Sequence, residues 1–199
     1  MKRLLLSTLL SMAFAGAASA ATYSIDASHT QVHFTYSHLD YSHLSGRLMQ
    51  VSGSFDFDAA NPAKSSIDVQ IPMASLSTGV PKLDAHLASA DFFDVQKFPT
   101  ASFKSNKVTV LGKDKLSVAG DLTIHGVTRP VLLAVTINKT GLHPMRKTAA
   151  AGFDASATIK RSEFGVGGMI PMIADEVKLS ISLEAQEPKP ELPAAKQAG

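Results

Sequence analysis

Residues 177–184 read Val-Lys-Leu-Ser-Ile-Ser-Leu-Glu. Every second side chain is apolar, and those between are charged or hydroxylated. A period of two is the mark of a β-strand with one dry face and one wet face. The same alternation recurs back along the chain. Phe153, Ala155, Ala157 and Ile159 share a side, as do Val131, Leu133, Val135 and Ile137. Leu116, Val118, Leu122 and Ile124 oppose Ser117, Asp121 and Thr123. Val108 and Val110 oppose Lys107 and Thr109, and Ala101 and Phe103 oppose Ser102 and Lys104. Ile67, Val69, Ile71 and Met73 form an earlier set. Met49, Val51, Phe55 and Phe57 precede it, after Val32, Phe34 and Tyr36.

The pattern predicts eight or nine strands, bounded by turns at Asn61-Pro62, Gly112-Lys113-Asp114, His125-Gly126 and Gly141. One-sided alternation belongs to antiparallel sheets, because parallel strands read as unbroken apolar runs. Two closures satisfy it, a barrel or a sandwich. One segment breaks the period. Pro81 suits a first helical position, and Leu83 and Leu87 follow at i,i+4 spacing, so a short helix is predicted between strands, as a lid or plug. Short loops, the absence of aromatic girdles and free use of Asp, Glu and Lys on the wet face argue against an outer-membrane barrel. The apolar face is placed inside.

The ends have other purposes. Met1-Lys2-Arg3, an apolar run over 4–17 and Ala18-Ser19-Ala20 have the layout of a cleavable secretory signal peptide, residues 1–20. Without Lys2 and Arg3, the 19 basic residues fall to 17, equal to the 17 acidic ones. A neutral mature chain does not suit a nucleic-acid binder. No later stretch is long and apolar enough to span a membrane as a helix. Residues 186–199 carry three prolines and few apolar groups, which reads as a flexible tail after a domain over 21–185. The whole chain has 199 residues, 45% of them hydrophobic, and no cysteine. That excludes disulfides, thiolate metal sites and cysteine nucleophiles.

Four blocks carry a resemblance. Tyr-Ser-Ile-Asp-Ala-Ser-His over 23–29 begins the first strand. Residues 75–105 contain Ser-Leu-Ser-Thr-Gly, Leu-Asp-Ala-His-Leu, Asp-Phe-Phe-Asp-Val, Phe-Pro and Phe-Lys-Ser. Gly-Asp-Leu-Thr-Ile-His-Gly-Val spans 120–127, and Arg-Ser-Glu-Phe-Gly-Val spans 161–166. In this order they resemble the YceI-like family of small exported proteins, over about residues 23–185. The resemblance implies an elongated, lipocalin-like antiparallel eight-stranded barrel with one or two short helices. It also implies a periplasmic carrier of a polyisoprenoid lipid, such as a quinone or polyprenyl phosphate, in an apolar pore. The helix near 83–89 would sit by one end.

The expected pore wall comprises Phe34, Phe55, Phe57, Phe103, Leu122, Val135 and Phe164, with the rest of the dry face. Small inward residues (Gly53, Gly120, Ala101, Ala155, Ala157) either leave a channel or let the sheets approach closely. His29, Asp84, His86 and Arg161 are the candidate head-group contacts. Each has a blander reading: a structural hydrogen bond for His29, helix capping or packing for Asp84 and His86, a salt bridge for Arg161. Phe92-Phe93 either plug the core or gate a channel. His29 and His33 stand about 13 Å apart on an extended strand, too far to share a metal. His38 and His43 have opposite parity. No cofactor and no metal is expected. Gly165-Val166-Gly167-Gly168 lacks the spacing of a dinucleotide loop and is assigned to a flexible rim. No Gly-x-Ser-x-Gly elbow or His-Glu-x-x-His helix is present. Two alternatives to the carrier stay open: an enzyme acting on such a lipid through His29, Asp84, His86 or Arg161, and a filled barrel that binds protein. A homodimer through an edge or rim also stays open.

Overall fold

The computed structural model describes residues 21–188. The proposed signal peptide and residues 189–199 lie outside the described residues. Ten β-segments follow in order: β1 Ala21–Ile25, β2 Gln31–His38, β3 Ser42–Leu48, β4 Ser52–Phe57, β5 Ser66–Pro72, β6 Thr100–Gly112, β7 Lys115–Ile124, β8 Val127–Leu142, β9 Ala149–Lys160 and β10 Glu176–Gln186. Helix α1, Pro81–Ala88, lies between β5 and β6.

Strand β10 pairs with β9 on one side and with both β1 and β2 on the other. Segments β1 and β2 therefore occupy one strand position, interrupted at 26–30. Segments β3 and β4 likewise share one position, β3 against β2 and β4 against β1. Counted this way the sheet is an antiparallel ring of eight strands, closed where β1 meets β10. The pairing of Ser24 with Gln186 removes the sandwich alternative, because the first and last strands are joined. Near α1 the outer edge of β3 meets no strand among the described residues. A loop covers it instead: the N–H groups of Arg47 and Ser77 each donate to the other's carbonyl at 2.9 Å.

Local chemistry explains the connections. His125 and Gly126 have φ of 52° and 73°, the pair of positive values that a tight two-residue hairpin requires between β7 and β8. In β6 the lumen side passes from Ala101 and Phe103 to Val108, and a bulge between Ser105 and Lys107 accounts for the change of parity. Pro81 stands in the first turn of α1, where its missing N–H is not needed.

Some expectations need correction. Residues 42–48 form β3, which alternation did not reveal: its inward positions are Leu44, Gly46 and Leu48, and glycine carries no apolar signal. Met49 does not share a side with Val51. Gln50 has φ 60°, which breaks the strand and shifts the parity. The Met49 backbone is bound instead by the Ser75 hydroxyl, at 3.0 Å to N and 2.8 Å to O. Val110 stands on the exposed end of β6. Gly141 is inside β8 with φ 140°, and the turn comes later, at 143–148. Gln186 is the last residue of β10, buried, and its amide donates to Asp26 at 3.0 Å.

The apolar alternates point inward. Tyr23, Phe55, Phe57 and Phe153 cluster at the end of the barrel away from α1, where Phe153 stands edge-on to Phe55 and Phe57 with ring centroids 5.1 Å and 5.3 Å apart. Such contacts add about 0.5–1.5 kcal/mol per pair beyond the area they bury.

Candidate functional site: an apolar lumen under a helix

The ring does not fill itself. A cavity of about 480 Å³ runs inside it, from the aromatic cluster to the underside of α1. All seven residues expected on the wall line it: Phe34, Phe55, Phe57, Phe103, Leu122, Val135 and Phe164. They come from six elements, which only the ring closure brings together. Val177, Leu179, Ile181 and Leu183, the dry face of the first run considered, line it as well.

The small inward residues divide between two roles. A Cβ on Gly120 would stand 2.5 Å from both the Phe103 ring and the Lys104 carbonyl oxygen, so this glycine permits close packing. The Phe34 ring covers Gly46 on the paired strand in the same way. Ala101 and Ala155, by contrast, face open lumen. Alanine at these two positions adds little bulk to the wall.

Helix α1 covers one end. Leu83, His86 and Leu87 line the cavity with Phe92 and Phe93 of the following segment. The His86 ring meets Phe92 edge-on with centroids 4.9 Å apart. Asp84 turns to the loop before the helix: its Oδ1 accepts from the Thr78 N–H at 2.7 Å and the Thr78 hydroxyl at 2.6 Å. These bonds hold its carboxyl below the usual range and tie the helix to the loop that covers β3. Asp84 therefore takes the anchoring role and is not on the wall. His29 is also elsewhere. It lies outside the barrel, with Nδ1 3.1 Å from the nearly buried Asp26 carboxylate, which also meets Arg146 at 3.4 Å.

Arg161 does line the cavity, and its partners differ from the expected salt bridge. Its Nε donates to the carbonyl of Ala174 at 2.8 Å. Nη1 donates to Val166 O at 2.7 Å and Gly168 O at 2.8 Å, and Nη2 to Ile173 O at 2.8 Å. The guanidinium thus organises residues 165–174 from inside the loop. Burial lowers its pKa, opposed by the neighbouring Asp175 carboxylate and Tyr36 hydroxyl, and it remains a cation. Asp175 is engaged by the Ser162 N–H at 2.8 Å and hydroxyl at 2.7 Å. Of the five guanidinium N–H groups four are used, and the fifth, on Nη2, has no acceptor among the described residues.

The remaining polar wall groups are sparse. His38 and Tyr36 stand on β2 near α1, and Thr30, Ser65 and Ser66 lie further down. Burial raises the Tyr36 hydroxyl pKa. Alternation placed Tyr36 on the inner face, and the same parity carried two residues further reaches His38, whose polar ring broke the apolar pattern. No group of three His, Asp or Glu among the described residues could hold a metal. No helix among them is long and apolar enough to cross a membrane.

Comparison with known proteins agrees with this architecture. A UPF0312 protein of Pseudomonas syringae pv. syringae (strain B728a) is 40% identical over 177 residues, covering 88% of this chain and 91% of that one. The crystal structure of Burkholderia cenocepacia BcnA superimposes with a TM-score of 0.73 at 29% identity, over 80% of this chain and 98% of that one. A polyisoprenoid binding domain from Saccharophagus degradans, implicated in plant cell wall breakdown, matches in fold with a TM-score of 0.67 at 16% identity, over 85% of this chain and 99% of that one. The profile of the YceI-like domain matches residues 23–185, nearly the whole described barrel, and the chain belongs to that family.

Proposed function

We propose that the protein is an exported, periplasmic carrier that holds a long isoprenoid lipid, a quinone or polyprenyl phosphate, in its lumen. The observation that carries this reading is the 480 Å³ cavity with a wall of carbon broken by few polar groups. The fold match to a polyisoprenoid binding domain supports it. Burial contributes about 0.8 kcal/mol per CH₂-sized group, so about 3–4 kcal/mol gross for each five-carbon unit. Ordering the flexible tail offsets much of that. Tail length is then read strongly and the head group weakly.

The polar wall groups suggest an orientation. Arg161, His86, His38 and Tyr36 gather near α1, while the far end is aromatic. The head group would rest by α1, with an oxygen taking the free Nη2 N–H of Arg161 and His86 beside it. The isoprenoid tail would run down past Phe103, Leu122 and Val135 to Phe55 and Phe57. The work is binding rather than catalysis. Tyr36, His38, His86 and Arg161 serve this reading as head-group contacts. No cofactor is needed, since the lipid is the ligand.

Native mass spectrometry of protein purified from its own compartment, followed by organic extraction, tests this. A discrete added mass that extracts as a prenyl lipid is expected. A bare mass that also fails to take up added isoprenoid quinone or polyprenyl phosphate refutes the carrier.

A further inference from the structure

Large apolar side chains meet solvent at both ends of the barrel, but only at the α1 end do they adjoin the lumen. Leu39 and Tyr41 lie on the β2–β3 turn, and Met169, Ile170 and Met172 on the loop before β10. Tyr41 is 92% exposed, and the other four range from 39% to 54%. The two loops form one unit: the Leu39 N–H donates to Met172 O at 2.9 Å, and the Ala174 N–H to Ser37 O at 3.1 Å.

Three features separate this patch from ordinary exposed carbon. Residues 165–174 contain no charged side chain, and Asp40 is the one carboxylate on the turn. Leu39 and Met169 have φ of 53° and 65°, a region that turn chemistry gives to glycine or asparagine. Apolar side chains at such positions go against local preference, which points to a use for them. The patch is also continuous with the lumen. Met169 is exposed and lines the cavity, and its neighbours Ile173 and His38 line it too. Inside and outside apolar surfaces meet there at Met169 and Ile173.

We propose that the loops 39–41 and 165–174 are a bilayer-docking surface, which seats the α1 end of the lumen against membrane lipid so that a cargo tail passes between them without crossing water. The inference rests on the lipid-carrier reading. Apolar loop tips with an interfacial tyrosine gain by burial at the headgroup boundary, and the absence of lysine and arginine makes that gain independent of lipid charge. The opposite end also exposes Val110, Leu111, Leu142 and Met145, but none of them lines the lumen, and Lys113, Lys115, Arg146 and Lys147 stand among them. An association driven by charge would use that end and would fail in salt.

The test is flotation of the mature protein with phosphatidylcholine vesicles, with and without added phosphatidylglycerol, at low and high salt. The double variant Tyr41→Ser/Met172→Ser is run beside it. Both residues are exposed, and a thermal melt checks folding. Expected is binding to the neutral vesicles that salt hardly changes, weakened about tenfold or more in the variant. When a long-chain isoprenoid quinone is loaded from detergent, the variant and parent should carry equal amounts. Unchanged flotation of the variant overturns the proposal. So does binding confined to anionic vesicles and abolished by salt, or sedimentation showing the patch buried in a dimer of this chain. If parent and variant both stay empty of quinone while flotation behaves as expected, the carrier reading fails and the docking surface stands.

Discussion

Replacing Arg161 by methionine separates its role as a clamp from its role as a charge in the lumen. Methionine keeps much of the stem's volume and removes all five donors, four of which make bonds to Ala174, Val166, Gly168 and Ile173 of 2.7–2.8 Å. A hydrogen bond from a charged donor is worth about 1.5–3 kcal/mol net in a closed site. Here the rim lets water reach part of the loop, so about 1 kcal/mol each is the better value, or about 4 kcal/mol together. Removing a guanidinium that burial penalises returns about 1–2 kcal/mol. The expected net loss is about 2–3 kcal/mol, or about 5–10 °C in melting temperature for a domain of this size. Lysine, with three donors on one nitrogen, reaches fewer of the carbonyls and should fall between the two. The assay is thermal unfolding with amide hydrogen exchange over 165–174, where protection should drop first. A methionine variant that melts within about 2 °C of the parent, with loop protection unchanged, refutes the clamp.

Other expectations follow from the same geometry. Gly120→Ala should cost about 1–3 kcal/mol, because the added carbon meets a backbone oxygen that cannot move aside. Gly152→Ala, with nothing within 4 Å of its added carbon, is the neutral control, and urea titration of the pair reads the difference. Ala155→Phe should cut the bound lipid mass while the protein stays folded, and retention of a full load would show that the tail runs elsewhere. Acid should destabilise the protein through three carboxylates. Burial would raise the Asp26 pKa, but bonds from His29 and Ser28 and the charges of His29 and Arg146 lower it overall. Burial likewise opposes a lowering of Asp175 by Ser162, Arg161 and Lys160, and Asp84 is lowered first by Thr78. A folded pKa below the unfolded value means this stability is present above about pH 4 and lost as pH falls below it. Asp26→Asn should flatten the stability–pH slope in that range, and an unchanged slope would remove Asp26 from the account.

Much of the lumen was legible as a rule of two. Once Val177, Leu179, Ile181 and Leu183 are assigned to one face, that face is the cavity wall, because a strand with one dry side must turn it inward. The aromatic wall positions Phe34, Phe55, Phe57 and Phe103 follow from the same parity. The helix was legible too, since Pro81 opens it and Leu83 and Leu87 lie one turn apart. Signals failed where the dry face holds no apolar atoms or where the backbone slips phase. Leu44-Ser45-Gly46-Arg47-Leu48 hides a strand because the Phe34 ring supplies the apolar cover that Gly46 lacks. Met49 was misplaced because one residue with positive φ reverses every side chain before it.

Alternation and composition by themselves determined an antiparallel, cysteine-free β-fold with an apolar interior and a short helix. Those are local properties, written in periods of two and four residues. Only the tertiary structure decided that the sheet closes on itself, since that depends on Ser24 meeting Gln186 across almost the whole domain. Only it showed that Ala101 and Ala155 face an unfilled lumen while Gly120 lies against a neighbouring wall, because the same small size serves both. And only it distinguished Arg161 from Asp84 and His29. All three are polar residues in the blocks that carry the family resemblance, but which of them faces the lipid space is set by where distant strands place the carbonyls and carboxylates they satisfy.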